Sequence, residues 1–128
     1  MLGLACSVGE GDGVAWLFGT YTSSGVGVAV GAGGGLLADA SVGYVMLFNI
    51  LHAAEPDRLV REAYRILAPG GTAAVTHWTS DRPTPRGPSM AIRPRPDDCR
   101  AWMIDQGFNT EGPIELPPFH FGFIGRKV

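Results

Sequence analysis

The sequence is poor in cysteine, and one half of it has no basic residues. Only Cys6 and Cys99 occur in 128 residues, too few for a disulfide framework, and two distant thiols do not spell a zinc site. Residues 1–57 hold no Lys or Arg against five acids, while residues 58–128 hold all ten basic residues against seven acids, for a net charge of −2. That balance excludes a strongly basic nucleic-acid binder as the default. No run reaches the roughly 18 uninterrupted apolar residues of a membrane span, so no membrane partner is expected. Gly3-Leu4-Ala5-Cys6 has a loose likeness to a lipoprotein cleavage site, but only five residues precede the cysteine and none is basic. A secretory signal needs a positive leading region and a longer apolar stretch, so a reducing cytoplasm is the expected location. The remainder, 45% hydrophobic and 17% charged, is the composition of one globular domain with a single modest core.

Glycine is unevenly spread, with eleven of the 19 glycines in residues 1–36. Runs such as Gly25-Val-Gly-Val-Ala-Val-Gly31 and Gly33-Gly34-Gly35 carry too much backbone entropy for a helix interior. Val26, Val28 and Val30 alternate with small residues and leave room for a thin strand. Glu10-Gly-Asp-Gly13 offers two carboxylates without the further oxygen ligands of a calcium loop, so no metal is expected.

From residue 41 the signals sharpen. Ser41 to His52 is a nearly continuous apolar run that turns polar at its end, the pattern of a parallel strand buried on both faces. Glu55-Pro56-Asp57 then starts a helix, with proline at its first position and acids at the positive end of its dipole. Leu59, Val60, Ala63, Ile66 and Leu67 repeat at helical spacing, and Asp57 and Arg61 are spaced for a surface pair. Pro69-Gly70-Gly71 is the expected stop, followed by a short strand from Thr72 to Trp78. Strand, helix and strand make a βαβ unit with parallel strands. Residues 79–96 hold five prolines (Pro83, Pro85, Pro88, Pro94 and Pro96), which exclude a helix or a central strand and leave a long loop. Pro96-Asp97-Asp98 opens a second helix with Cys99, Trp102 and Met103 on one face and Gly107 as its stop. His120 to Val128 reads as a final strand.

The block Tyr44-Val-Met-Leu-Phe-Asn-Ile-Leu-His52, then Arg61-Glu-Ala-Tyr-Arg-Ile-Leu-Ala-Pro-Gly-Gly71, then Val75-Thr-His-Trp78 resembles the second half of a class I S-adenosylmethionine (SAM)-dependent methyltransferase. It is most similar to the type-11-like methyltransferase domains. The resemblance covers residues 37–128, and Leu2 to Gly11 can be laid over the family's glycine-rich cofactor loop. It implies an α/β fold: a Rossmann-like, partial doubly wound sheet, mostly parallel, with an antiparallel C-terminal strand. It also implies one shortened domain over residues 1–128, with residues 1–36 a degenerate cofactor-loop region. The family's second strand, whose terminal acid binds the ribose, has no counterpart here.

On this resemblance Ala5, Ser7, Gly9 and Asn49 would hold SAM, and His52 would face the transfer site as a general base. Ligands of open α/β sheets bind outside the carboxyl ends of the strands, which agrees for Asn49 and His52. The plainer reading of His52 is a histidine that caps the following turn. His77 and Trp78 end the next strand and are expected to meet the same crevice as substrate contacts, although Trp78 also suits the core. Arg82, Arg86, Arg93 and Arg95 lie on the proline-rich loop. Arg86 and Arg93 are candidates to clamp an anionic substrate, against a loop whose arginines pair with Asp81, Asp97 and Asp98. The interleaved aromatics of a nucleic-acid platform are missing. The chain is therefore expected to move a methyl group from SAM to a small-molecule acceptor. The alternative is a truncated, non-catalytic methyltransferase-like fragment, whose exposed sheet edge a second copy or a partner chain would cover. A third is an anion-binding module built on the arginine loop.

Overall fold

The computed structural model describes residues 14–17, 21–22, 25–26, 38–52 and 55–128. Among these residues seven strands and two α-helices follow in chain order: β1 (Val14–Leu17), β2 (Tyr21–Thr22), β3 (Gly25–Val26), β4 (Val42–Phe48), α1 (Pro56–Ile66), β5 (Leu67–Trp78), α2 (Pro96–Gln106), β6 (Phe108–Leu116) and β7 (His120–Lys127). The loop expected over residues 79–96 is not free of helix: Met90–Ile92 forms one 3-10 turn, short enough to fit between Pro88 and Pro94, with the Ser89 side chain accepting from the Ala91 N–H at its start. Five of the strands form one sheet in the order β1-β4-β5-β7-β6, while β2 and β3 pair separately. β1, β4 and β5 run parallel, β7 is antiparallel to β5, and β6 is antiparallel to β7. The parallel βαβ unit and the antiparallel C-terminal strand are both present. Of the thin strand expected around Val26, Val28 and Val30, only β3 lies within the described residues.

Register explains the core. Val45 pairs with Ala73, Leu47 with Val75, and Val75 in turn with Phe123, so these side chains share one face of the sheet. They are almost completely buried there together with Leu59, Val60, Ala63 and Ile66 of α1 and Cys99 and Met103 of α2. β4 is not buried on both faces as its apolar run suggested. Val45 and Leu47 are inaccessible, but Tyr44, Met46 and Phe48 keep partial exposure. Both helices pack on the first face, and β5 and β7, each flanked by strands on both sides, hold buried residues in succession, Ala73 to Val75 and Phe121 to Phe123.

α1 ends earlier than Pro69-Gly70-Gly71. Its last helical residue is Ile66, and Leu67 is already extended, with φ −70° and ψ 135°. Two things stop it. The residue before a proline disfavours helical backbone, which rules out Ala68. The carbonyls of Arg65 and Ile66 also accept hydrogen bonds from the backbone N–H groups of Ala40 and Ser41, at 2.9 and 2.8 Å. β5 therefore starts beside Val42 and runs through the Pro-Gly-Gly segment.

Lys127, the sole lysine of the chain, completes this helix end. Its Nζ donates to the carbonyls of Tyr64 and Leu67, both at 2.7 Å, and lies 4.6 Å from the centre of the Tyr64 ring. A cation on carbonyls at the end of α1 suits the negative end of the helix dipole. Lys127→Met keeps the aliphatic stem and removes both bonds. It is expected to lower stability by about 1–2 kcal/mol, read as a lower urea midpoint with an unchanged slope.

α2 runs as expected from Pro96 to Gly107, where φ of +106° closes the helix in the left-handed conformation. Asp98 accepts from the Arg95 backbone N–H at 3.0 Å. β6 carries no pattern that announces it: only Phe108 is buried, and Gly112-Pro113 interrupts its register with β7. It is an exposed edge strand held by its neighbour.

Candidate active site

The parallel strands β4 and β5 end side by side at Phe48 and Trp78. The ladder continues one residue past β4, with the Asn49 N–H donating to the Thr76 carbonyl at 2.8 Å. Asn49 then turns the chain at φ +57°, a left-handed conformation that asparagine tolerates better than most residues. Its side-chain Oδ1 is buried and has no hydrogen-bond partner among the described residues. Buried acceptors are normally satisfied, so this atom marks a place suited to a donor.

The turn after Asn49 places His52 over the end of β5. His52 Nδ1 lies 3.2 Å from His77 Nε2, and the two rings meet edge to face with centroids 5.4 Å apart. His77 continues the inward face of Ala73 and Val75 and is completely buried, with Phe121 beside it at 6.4 Å between ring centres. Its Nδ1 lies 3.2 Å from the Trp78 carbonyl. Burial, which penalises the charged form, pushes the His77 pKa down to about 4, and the nearby His52, Arg93 and His120 push in the same direction. The Trp78 carbonyl opposes this only in part. His52 is also lowered, first by burial and then by the Arg93 guanidinium.

Trp78 does not share this surface. Successive residues of a strand point to opposite faces, so His77 enters the core side while Trp78 turns away. Trp78 stacks on His120, its cross-strand partner, with ring centroids 4.2 Å apart. His77 and Trp78 thus end one strand but do not meet one crevice. The proline-rich loop folds back over Trp78. Gly87 has φ +107°, and a Cβ there would stand 3.0 Å from two atoms of the Trp78 ring, so a side chain at this position would lift the loop off the indole.

Arg93 holds that loop. Its Nε donates to the Pro88 carbonyl at 2.9 Å, Nη1 to Thr79 at 3.1 Å and Nη2 to Arg86 at 3.2 Å, with the guanidinium 6.0 Å from the centre of the Trp78 ring. These bonds occupy the fork that an anionic substrate would need. Arg86 is exposed, and its backbone carbonyl rather than its guanidinium takes part in the network. Arg82 pairs with Asp81 at 3.2 Å. Among the described residues no arginine of the loop pairs with Asp97 or Asp98. His120 and Phe121 are functional candidates that sequence reasoning missed, because in a terminal strand read by itself nothing shows that they face the end of β5. Beside them a cleft of about 260 Å³ is lined in part by Thr79, Arg82, Ile114 and Glu115. Ala5, Ser7 and Gly9 lie outside the described residues, as do Glu10 and Asp12; all five precede in sequence the strand beside β4.

Comparison with known proteins agrees with this geometry. The family model of the methyltransferase domain matches residues 20–75. A SAM-dependent methyltransferase from Aquifex aeolicus superposes with a TM-score of 0.64 at 20% identity, over 72% of this chain and 49% of its own. A protein assigned as a type 11 methyltransferase, from Sulfolobus solfataricus, gives 0.59 at 28% identity over 72% and 54%. A third, from Mesorhizobium loti, gives 0.55 at 16% identity over 71% and 64%. No curated protein matches the chain. The chain therefore has the Rossmann-like fold of these methyltransferases, and its residues 20–75 match the methyltransferase-domain model. This chain spans about half the length of the first two structures it resembles.

Among the described residues no helix is long and apolar enough to cross a membrane.

Proposed function

We propose that this domain binds SAM and serves methyl transfer to a small-molecule acceptor in the cytoplasm. The observation that carries the reading is Asn49. A buried acceptor atom with no partner among the described residues sits beyond the carboxyl end of β4, between the parallel strands β1 and β5. Open α/β sheets bind their ligands at such a place. SAM offers ammonium, hydroxyl and adenine N–H donors, so its chemistry fits an unpaired carbonyl oxygen. When bound, it supplies a methyl group on a sulfonium, which leaves as a neutral thioether when the acceptor takes the methyl carbon.

The protein's own part is alignment, with a base only if the acceptor must lose a proton. His52, half-buried and held neutral, is the group placed to take that proton. The arginine-held loop lies beside it, with the Arg93 guanidinium close enough to lower the His52 pKa, and Arg86, whose guanidinium has no partner among the described residues, is the cation for an anionic group on the acceptor. Arg93 acts there through the loop it ties down.

Calorimetric titration of the folded chain with SAM and with S-adenosylhomocysteine tests this directly. Micromolar binding is expected, weakened at least tenfold by Asn49→Ala, a change of about 1.4 kcal/mol. A cooperative melt together with no binding at millimolar ligand would overturn the reading. It would favour instead a non-catalytic module completed by a second chain.

A further inference from the structure

The end of β5 contains a chain of hydrogen bonds whose direction is set at one end. The Trp78 carbonyl can only accept, so the His77 nitrogen 3.2 Å from it, Nδ1, must carry a proton. His77 is wholly buried with no acid beside it among the described residues, and a neutral imidazole has a single N–H. Its Nε2 is therefore a bare lone pair. That lone pair faces His52 Nδ1 at 3.2 Å, and a hydrogen bond there requires His52 Nδ1 to be the donor. The remaining nitrogen, His52 Nε2, is then unprotonated in the neutral ring. Among the described residues it has no hydrogen-bond partner.

We propose that His77 is a positioning residue: through the Trp78 O–His77–His52 chain it fixes the tautomer and the ring orientation of His52, so that Nε2 is the nitrogen that accepts a proton. His77 acts through another side chain rather than on the substrate. A carboxylate in its place would also orient His52, but would put a buried charge against Phe121 and the core. A neutral imidazole performs the orientation without that charge. Among the described residues, the charged and titratable groups around the pair are the Arg93 guanidinium and His120, both of which favour the neutral form of His77. The use of His52 in catalysis rests on the methyl-transfer reading above; the tautomer itself does not.

The test is long-range 1H–15N correlation NMR of the histidine-labelled full chain at pH 7.5, with His120 as the internal comparison. His52 and His77 are both expected to show a protonated Nδ1 and a pyridine-like Nε2. In His77→Gln, whose amide can accept from His52 and donate to the Trp78 carbonyl, His52 should keep that pattern. In His77→Phe it should lose it and become a mixture of tautomers. A wild-type His52 protonated at Nε2 would overturn the proposal, even if the Phe variant fails to fold. So would a folded His77→Phe in which the His52 signals do not change. Because no cofactor enters the experiment, failure of SAM binding and failure of this relay are read separately.

Discussion

Replacing Phe123 by alanine is expected to lower stability by about 3–5 kcal/mol, the usual cost of emptying a buried aromatic site. Phe123 is almost fully buried and lies in the middle of β7, the strand that joins β5 to β6. Its ring meets Phe121 edge to face at 6.1 Å, and the Arg100 guanidinium sits 5.7 Å from its centre while donating to the Gly112 carbonyl. The β6 backbone touches the ring as well: a Cβ at Gly112 would stand 2.7 Å from Phe123 Cδ1. One side chain thus joins the sheet, α2 and the edge strand, and little around it is free to collapse into the space it leaves. A natural domain holds only about 5–15 kcal/mol in total, so the variant should unfold at far lower urea, or be partly unfolded without it. Phe123→Leu should lose much less. Equal urea midpoints for wild type and Phe123→Ala would show that the C-terminal hairpin is not part of the cooperative core.

The same hairpin marks where the sequence stopped being legible. The βαβ unit was readable because each of its signals is local. The apolar run ending in Asn49, the Pro56 start, the stripe from Leu59 to Ile66 and the strand to Trp78 all depend on near neighbours. α2 was readable for the same reason, between Pro96 and Gly107. β6 was not, since an edge strand with one buried residue has no alternation to read. The early start of β5 at Leu67 was hidden because helical spacing counted Leu67 into α1. What ends the helix is a distant segment, Ala40 and Ser41, that takes its last carbonyls.

The site divides along the same line. Asn49 and His52 follow from chain order and the rule for strand ends. Placing His77 against His52 requires knowing that β4 and β5 are adjacent and that residues 73, 75 and 77 share a face. Assigning His77 and Trp78 to one crevice ignored the alternation of a strand, and a buried partner such as Phe121 comes from a strand more than 40 residues away in the sequence.

Acidification should destabilise this protein well above the range where its carboxylates titrate. His77 binds its proton in the unfolded chain near 6.5, but only near 4 when folded, because burial excludes the charge and His52, Arg93 and His120 repel it. Between those values the unfolded state holds more protons than the folded one, so stability rises with pH. The contribution is complete above about 6.5, falls as pH drops toward 4, and amounts to about 3 kcal/mol for a shift of this size. His52 and His120, both lowered mainly by burial, add to it with the same sign. Urea unfolding at intervals from pH 7.5 to 4.5 should show the decline, and His77→Gln should flatten most of it. A wild-type profile that stays level across this window would mean that His77 is protonated in the fold. A protonated His77 has no lone pair on Nε2, and so could not accept from His52. Acid therefore acts twice at one nitrogen: protonating His77 Nε2 costs folding energy, and it removes the lone pair to which His52 Nδ1 donates.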